Sequence, residues 1–170
     1  MVNGQQSHHF GDVGGTCRDF CGGFFFYQKF KKIKMLRRDF ISKIIEQMVN
    51  AMARLLELNI EEEPQKFLRD FDELMKTYFN LNSEELNRLL EPDEERDALL
   101  LDEKLKNYQI RTFINAAFVF VETNQSEKAK ICLEIIERIQ QTHSNVFEFP
   151  TAESSKISVD LMNLKALIYS

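Results

Sequence analysis

YQIRTFINAAFVFVETNQSEKAKICLEIIERI, Tyr108–Ile139, carries the clearest helical pattern in the chain. It contains neither glycine nor proline. Its first half, Tyr108–Val121, is apolar and small, with Ala116 next to Ala117. In its second half Ala129, Cys132, Leu133, Ile136 and Ile139 fall in the i, i+3, i+4, i+7 pattern of one helix face, flanked by Ile131 and Ile135. That is the period of a helix buried on a broad face, wide enough to pack on two sides. Only Glu122-Thr-Asn-Gln-Ser126 separates the halves, and Asn124 with Glu127 has the spacing of a capping box. Two antiparallel helices joined by a tight turn are predicted, the second over Ser126–Thr142.

The flanking chain reads the same way. All six glycines lie within the first 23 residues, and the three prolines, Pro64, Pro92 and Pro150, each separate two apolar-periodic segments. A sheet protein needs glycines for its turns, whereas a glycine-free chain rich in Leu, Glu, Lys and Ile is helical material. The first helix is expected over Leu36–Leu58, with Leu36, Phe40, Ile41, Ile44, Ile45, Met48, Val49, Met52, Leu55 and Leu56 as its stripe and Asn59 as its stop. A second over Pro64–Asn80 starts on a proline and follows Glu61–Glu63, where the helix dipole favours negative charge. Its stripe is Phe67, Leu68, Phe71, Leu74, Met75, Tyr78 and Phe79. A short helix over Ser83–Leu90 is capped by Asn82 and Glu85, with Leu86, Leu89 and Leu90 facing inward. The helix leading into the opening stretch spans Asp93–Thr123, with a break near Asp102. The last spans Ala152–Tyr169 and buries Ile157, Leu161, Leu164, Leu167 and Ile168. The expected fold class is therefore all-α: antiparallel hairpins in a short array of about six helices.

The N-terminal residues differ. Residues 1–34 hold every glycine, two of the three histidines and six of the fifteen phenylalanines, with no helical period. They carry five basic residues against two acidic ones, +3, so 35–170 carries −8 of the chain's net −5. A signal peptide places its basic residues first, and here the run Phe24-Phe25-Phe26-Tyr27 precedes them. The expectation is an irregular or disordered extension over 1–34, upstream of a natural start at Met35, and one helical domain over 35–170. Apolar residues make up 44% and no run of eighteen exists, which argues against a membrane span. Three unevenly spaced cysteines make no disulfide framework and fit a reducing cytoplasm.

Two resemblances follow from these residues. Ala117 and Ala129 stand twelve apart, one per helix; Phe113 and Ala116 precede the first, Phe120 follows it, and Leu133 and Ile136 follow the second. This resembles one tetratricopeptide repeat, although the usual proline position holds Gln141. The resemblance implies a right-handed stack of hairpins with a concave, partner-binding face. Second, MLRRDFISKIIEQMVNAMARLL, FNLNSEELNRLL and the hairpin together, about Met35–Gln141, resemble an uncharacterised bacterial family with tetratricopeptide-like pairs. Asp39, Phe40, Ile41, Ile44, Glu46 and Gln47 match its opening segment. That resemblance implies a fold and a start site, and no reaction.

Catalytic sets are not evident. His143 and Cys132 lie eleven residues apart on one helix, about 16 Å along its axis, too far for a nucleophile and its base. Cys132 reads as a small buried residue and His143 as a helix C-terminal one. With no glycine after Gly23, a phosphate-cradling loop is excluded. Glu61–Glu63 and Asp93–Glu95 read as helix-start charges rather than metal ligands. His8, His9, Cys17 and Cys21 are poorly spaced for zinc. Lys29, Lys31, Lys32, Lys34, Arg37 and Arg38 form a basic run, but the acidic remainder opposes a nucleic-acid partner.

No cofactor and no enzymatic activity are expected. The leading reading is a protein–protein interaction or scaffold module, with Asn107, Arg111 and Asn115 lining a groove for a protein or peptide. A second is a self-assembling structural protein, because the last helix has no polar outer face and another copy could cover it. A third, a small-ligand or enzymatic bundle, rests on Tyr78, Tyr108 and Arg111 converging.

Overall fold

The computed structural model describes residues 22–143 and 151–169, with side chains from Asp39 onward. Six α-helices and one 3₁₀ turn account for its regular structure: α1 Gly22–Leu56, α2 Pro64–Phe79, the 3₁₀ turn Leu86–Leu89, α3 Glu94–Leu100, α4 Lys106–Glu122, α5 Ser126–Thr142 and α6 Ala152–Tyr169. No strand occurs among the described residues. By their contacts the residues form two units, Met1–Phe40 and Ile41–Ser170.

In the first unit α1 begins at Gly22 rather than near Leu36. Residues 22–34, expected to be irregular, are therefore helical. The reason is permissive chemistry: nothing from Phe24 to Lys34 is glycine or proline, so the helix propagates without an amphipathic period. His8, His9, Cys17 and Cys21 lie outside the described residues.

The second unit holds one hydrophobic core. α1 contributes Ile45, Met48, Met52 and Leu55 at helical spacing, while Phe40, expected in the stripe, is 64% exposed. From α2 come Phe67, Phe71, Leu74 and Met75. Phe71 is the aromatic centre: its ring stacks on Phe67 at 6.3 Å and meets the edges of Phe113 (5.9 Å) and Phe120 (6.3 Å) on α4. Edge-to-face pairs are worth about 0.5–1.5 kcal/mol beyond their burial. α4 packs most extensively on α5 and also touches α6 and α2. α5 is covered by α4, the 3₁₀ turn and α6, the several-sided packing its sequence predicts.

Side-chain hydrogen bonds mark several of the helix ends. Asn82 Oδ1 accepts from the Glu84 N–H at 2.8 Å, and the Glu85 carboxylate accepts from the Asn82 N–H at 3.4 Å. The turn that follows winds as 3₁₀ over Leu86–Leu89 instead of a full α-helix over Ser83–Leu90. Asp93 caps α3 by accepting from the Arg96 N–H at 2.9 Å. The expected break near Asp102 separates α3 from α4, and Asp102 Oδ1 accepts from the Lys104 N–H across it at 2.9 Å. Asn59 Oδ1 accepts from the Glu61 N–H at 3.1 Å beyond the end of α1, which stops at Leu56.

The α4–α5 turn corrects one expectation. Asn124 does not cap α5, whose first residue follows Gln125 without a side-chain cap. It terminates α4 instead, at φ 59° in the left-handed region. There the Asn124 N–H bonds the Val121 carbonyl at 3.1 Å and the Gln125 N–H bonds the Phe120 carbonyl at 2.7 Å. This is the double closure of a Schellman motif, with asparagine in the place glycine usually takes. Glu127 pairs with Lys130 at 2.8 Å.

A polar clamp completes the unit. Arg138 on α5 donates through Nη1 and Nη2 to both carboxylate oxygens of Asp97 on α3, each at 2.9 Å, and through Nη1 to the Leu89 carbonyl at 2.7 Å. Gln109 on α4 is fully buried and donates to the Leu99 carbonyl at 3.0 Å. These bonds tie α3 and the 3₁₀ turn to the α4–α5 pair.

Candidate functional site

α6 repeats every few residues a choice between apolar and small, and only one of its sides is used. Ile157, Leu161 and Leu164 are buried, with Ile168 partly so. At 100° per residue these four share one side of the helix. Val159, Met162, Ala166 and Tyr169 fall roughly opposite and are exposed, Met162 at 66% and Tyr169 at 71%. Leu167, expected in the buried stripe, is exposed as well. Its neighbour Ile168 takes the inward place because burial follows the 4-3-4 spacing from Ile157.

The helix is held firmly enough to display this face. Thr151 Oγ1 accepts from the Ser154 N–H at 3.1 Å and Ser154 Oγ accepts from the Thr151 N–H at 2.9 Å, a reciprocal cap. Lys165 on α6 bridges to Glu137 on α5 at 2.8 Å, and Arg111 on α4 to Glu153 on α6 at 3.4 Å. Both bridges are exposed, so their contribution is orientation more than stability. Lys130, beside Tyr169, is held above its ordinary pKa by its hydrogen bond to Glu127 and then by that carboxylate's charge. The stripe itself carries no ionisable group except the Tyr169 phenol.

The groove residues expected on α4 are partly brought together. Asn107 and Arg111 line an open depression of about 290 Å³ with Lys104, Tyr108 and Glu153. Asn115, a turn further on, is half-buried and does not line it. Glu153 from α6 already engages Arg111, so the depression is a charged junction between two helices. Tyr108 and Arg111 share it, while Tyr78 packs against the core, where burial raises its phenol pKa.

Phe113, Ala117, Phe120, Ala129, Leu133 and Ile136, expected to pack the hairpin, are all buried. Cys132 is completely enclosed, and burial pushes its thiol pKa well above its ordinary value, with a smaller opposing pull from Lys128. A thiol so shielded stays protonated and inert. Among the described residues no group of three or more His, Cys, Asp or Glu is arranged to hold a metal ion, and no helix is long and apolar enough to cross a membrane.

No family model, no curated protein and no solved structure matches this chain.

Two features were out of reach of the sequence. The Arg138–Asp97 clamp joins residues 41 apart, and no local spacing signals it. The exposure of Val159 and Met162 was foreshadowed only by the lack of a polar face on the last helix.

Proposed function

We propose that this chain is a protein–protein interaction module built on tetratricopeptide-like helical hairpins, with the outer face of α6 as its contact surface. The observation that carries the reading is the stripe Val159, Met162, Ala166 and Tyr169, exposed on a helix whose other side is buried. Exposed apolar patches of this kind mark interaction sites, and Met and Tyr are enriched there. Support for the hairpin type comes from Ala117 and Ala129, both without exposed surface in the α4–α5 pair. Small residues at those places let two helices approach closely. The likeness to an uncharacterised bacterial family fits the same reading and brings no reaction with it. On this view the chain works in the cytoplasm by binding rather than by catalysis.

The test is a pull-down from the native host with wild-type and Met162→Asp chains, followed by titration of the captured protein. A partner that binds Met162→Asp at least tenfold more weakly supports the α6 surface. A partner that binds both chains equally, or that is lost only in Arg111→Glu, overturns it in favour of α4. A chain that binds neither a host protein nor itself is not an interaction module.

A further inference from the structure

We infer that the α6 stripe receives a second copy of this chain, the two α6 helices packing antiparallel about a twofold axis at the level of Leu164. The inference rests on the reading of α6 as the contact surface and names its occupant.

The spacing of the stripe is the first argument. Val159, Met162, Ala166 and Tyr169 are separated by three, four and three residues. That interval series is the same in both directions. A twofold interface is isologous: if residue i meets residue j of the partner, j meets i. Antiparallel pairing about position 164 sets Met162 against Ala166 and Val159 against Tyr169, twice each. The large, flexible methionine then faces the smallest member of the stripe, the knob-and-hole relation that close helix pairing needs.

Charge is the second argument. The chain as a whole is −5, and two acidic bodies repel each other. The stripe is free of acid and base, and the charges beside it are balanced. Lys165 is matched by Glu137 and Lys130 by Glu127 on the α5 side; Lys156 and Asp160, four apart, sit on the other. A neutral face with neutral edges suits a copy of itself better than a nucleic acid or an anionic lipid surface.

Size sets the strength. An 18-residue helix is about 27 Å long and 10–12 Å wide, a footprint of roughly 300 Å² on each copy. Standard interfaces bury about 800 Å² per partner. The pair is therefore expected to be weak and reversible.

Sedimentation equilibrium of the full chain from 1 to 500 μM tests this. A monomer–dimer transition is expected in that range, shifted at least tenfold to higher concentration in Met162→Asp and in Tyr169→Ser. Two lesions at different ends of the stripe, each checked for native helicity, keep misfolding from deciding the result. Mixing Met162→Cys and Ala166→Cys chains under mild oxidation is expected to give a 162–166 link, identified by peptide mass spectrometry so that links through Cys17 or Cys21 are seen separately. A monomer at 500 μM, a dimer indifferent to both lesions, or a dominant 162–162 link overturns the inference. A monomeric chain that still loses a host partner on Met162→Asp leaves the interaction-module reading standing without self-pairing.

Discussion

α4 and α6 share a signature: each carries apolar residues on more than one side, with small residues among large ones. Their surroundings differ. α4 lies among α2, α5 and α6, and nine of its residues are buried, Gln109 and Thr112 with them. α6 touches α4 and α5, both on its inward side, and three of its residues are buried. An all-round apolar helix is usually taken to be central. The pair teaches that the same pattern marks either a helix already surrounded or one with a side left for something else to cover. Position in the stack separates the two cases.

Substitution can break this contrast. The largest effect belongs to α4: Phe113→Ala removes a ring packed against Phe71 and is expected to cost about 3–5 kcal/mol in urea unfolding. The matching change on α6, Met162→Ala, is expected to stay within about 0.5 kcal/mol, as surface substitutions do. Equal losses would mean that α6 is as enclosed as α4.

Two alanines distinguish the same helices. Ala117→Leu inserts three carbons where there is no room and is expected to destabilise by about 1–3 kcal/mol, whereas Ala166→Leu on the open face is expected to be near neutral by thermal melting. Removing the clamp that braces the α4–α5 pair falls in the same range. Arg138→Met takes the guanidinium from the Leu89 carbonyl and leaves the Asp97 carboxylate only the Asp93 N–H at 3.4 Å, a loss of about 2 kcal/mol by chemical denaturation.

The smallest effect concerns acid. The Asp93 carboxylate that starts α3 accepts the Arg96 N–H, and this bond, with the Arg96 charge behind it, holds its pKa below the ordinary 3.8. A depressed carboxyl pKa contributes stability that is complete above about 3.8 and fades as pH falls through the lower folded value. Asp93→Asn keeps a capping oxygen but cannot titrate, so its melting temperature is expected to vary less than wild type's across that acid window. The cap of α6, Thr151 with Ser154, has no ionisable group. Loss of the Asp93 cap in acid should therefore appear as a local change at Asp93–Arg96, as residue-level NMR would show.

Helix ends were legible wherever the signal was local. α5 and α6 run over Ser126–Thr142 and Ala152–Tyr169, as their periodicity predicts, and α2 starts on Pro64 and ends one residue short of the expected Asn80. Asn80 sits at φ 54°, the left-handed stop its side chain tolerates. Asn124 shows the boundary of such reading. Its residue type promised a helix end, but whether it closes α4 or opens α5 depends on the backbone bonds of Phe120 and Val121, which spacing to Glu127 does not reveal. The start of α1 is the opposite case: residues 22–34 continue the helix without the apolar period that would mark it in the sequence.

The order of polar and apolar residues, with three prolines and no glycine after Gly23, was enough to make the chain helical and to place nearly every helix. This works because helical bonds and caps reach only a few residues along the chain. Which apolar face is covered, where Arg138 finds Asp97, and that Met162 stands in the open were decided by the arrangement of helices in space. Burial and long-range ion pairing depend on which surfaces meet, and residues distant in sequence settle that together.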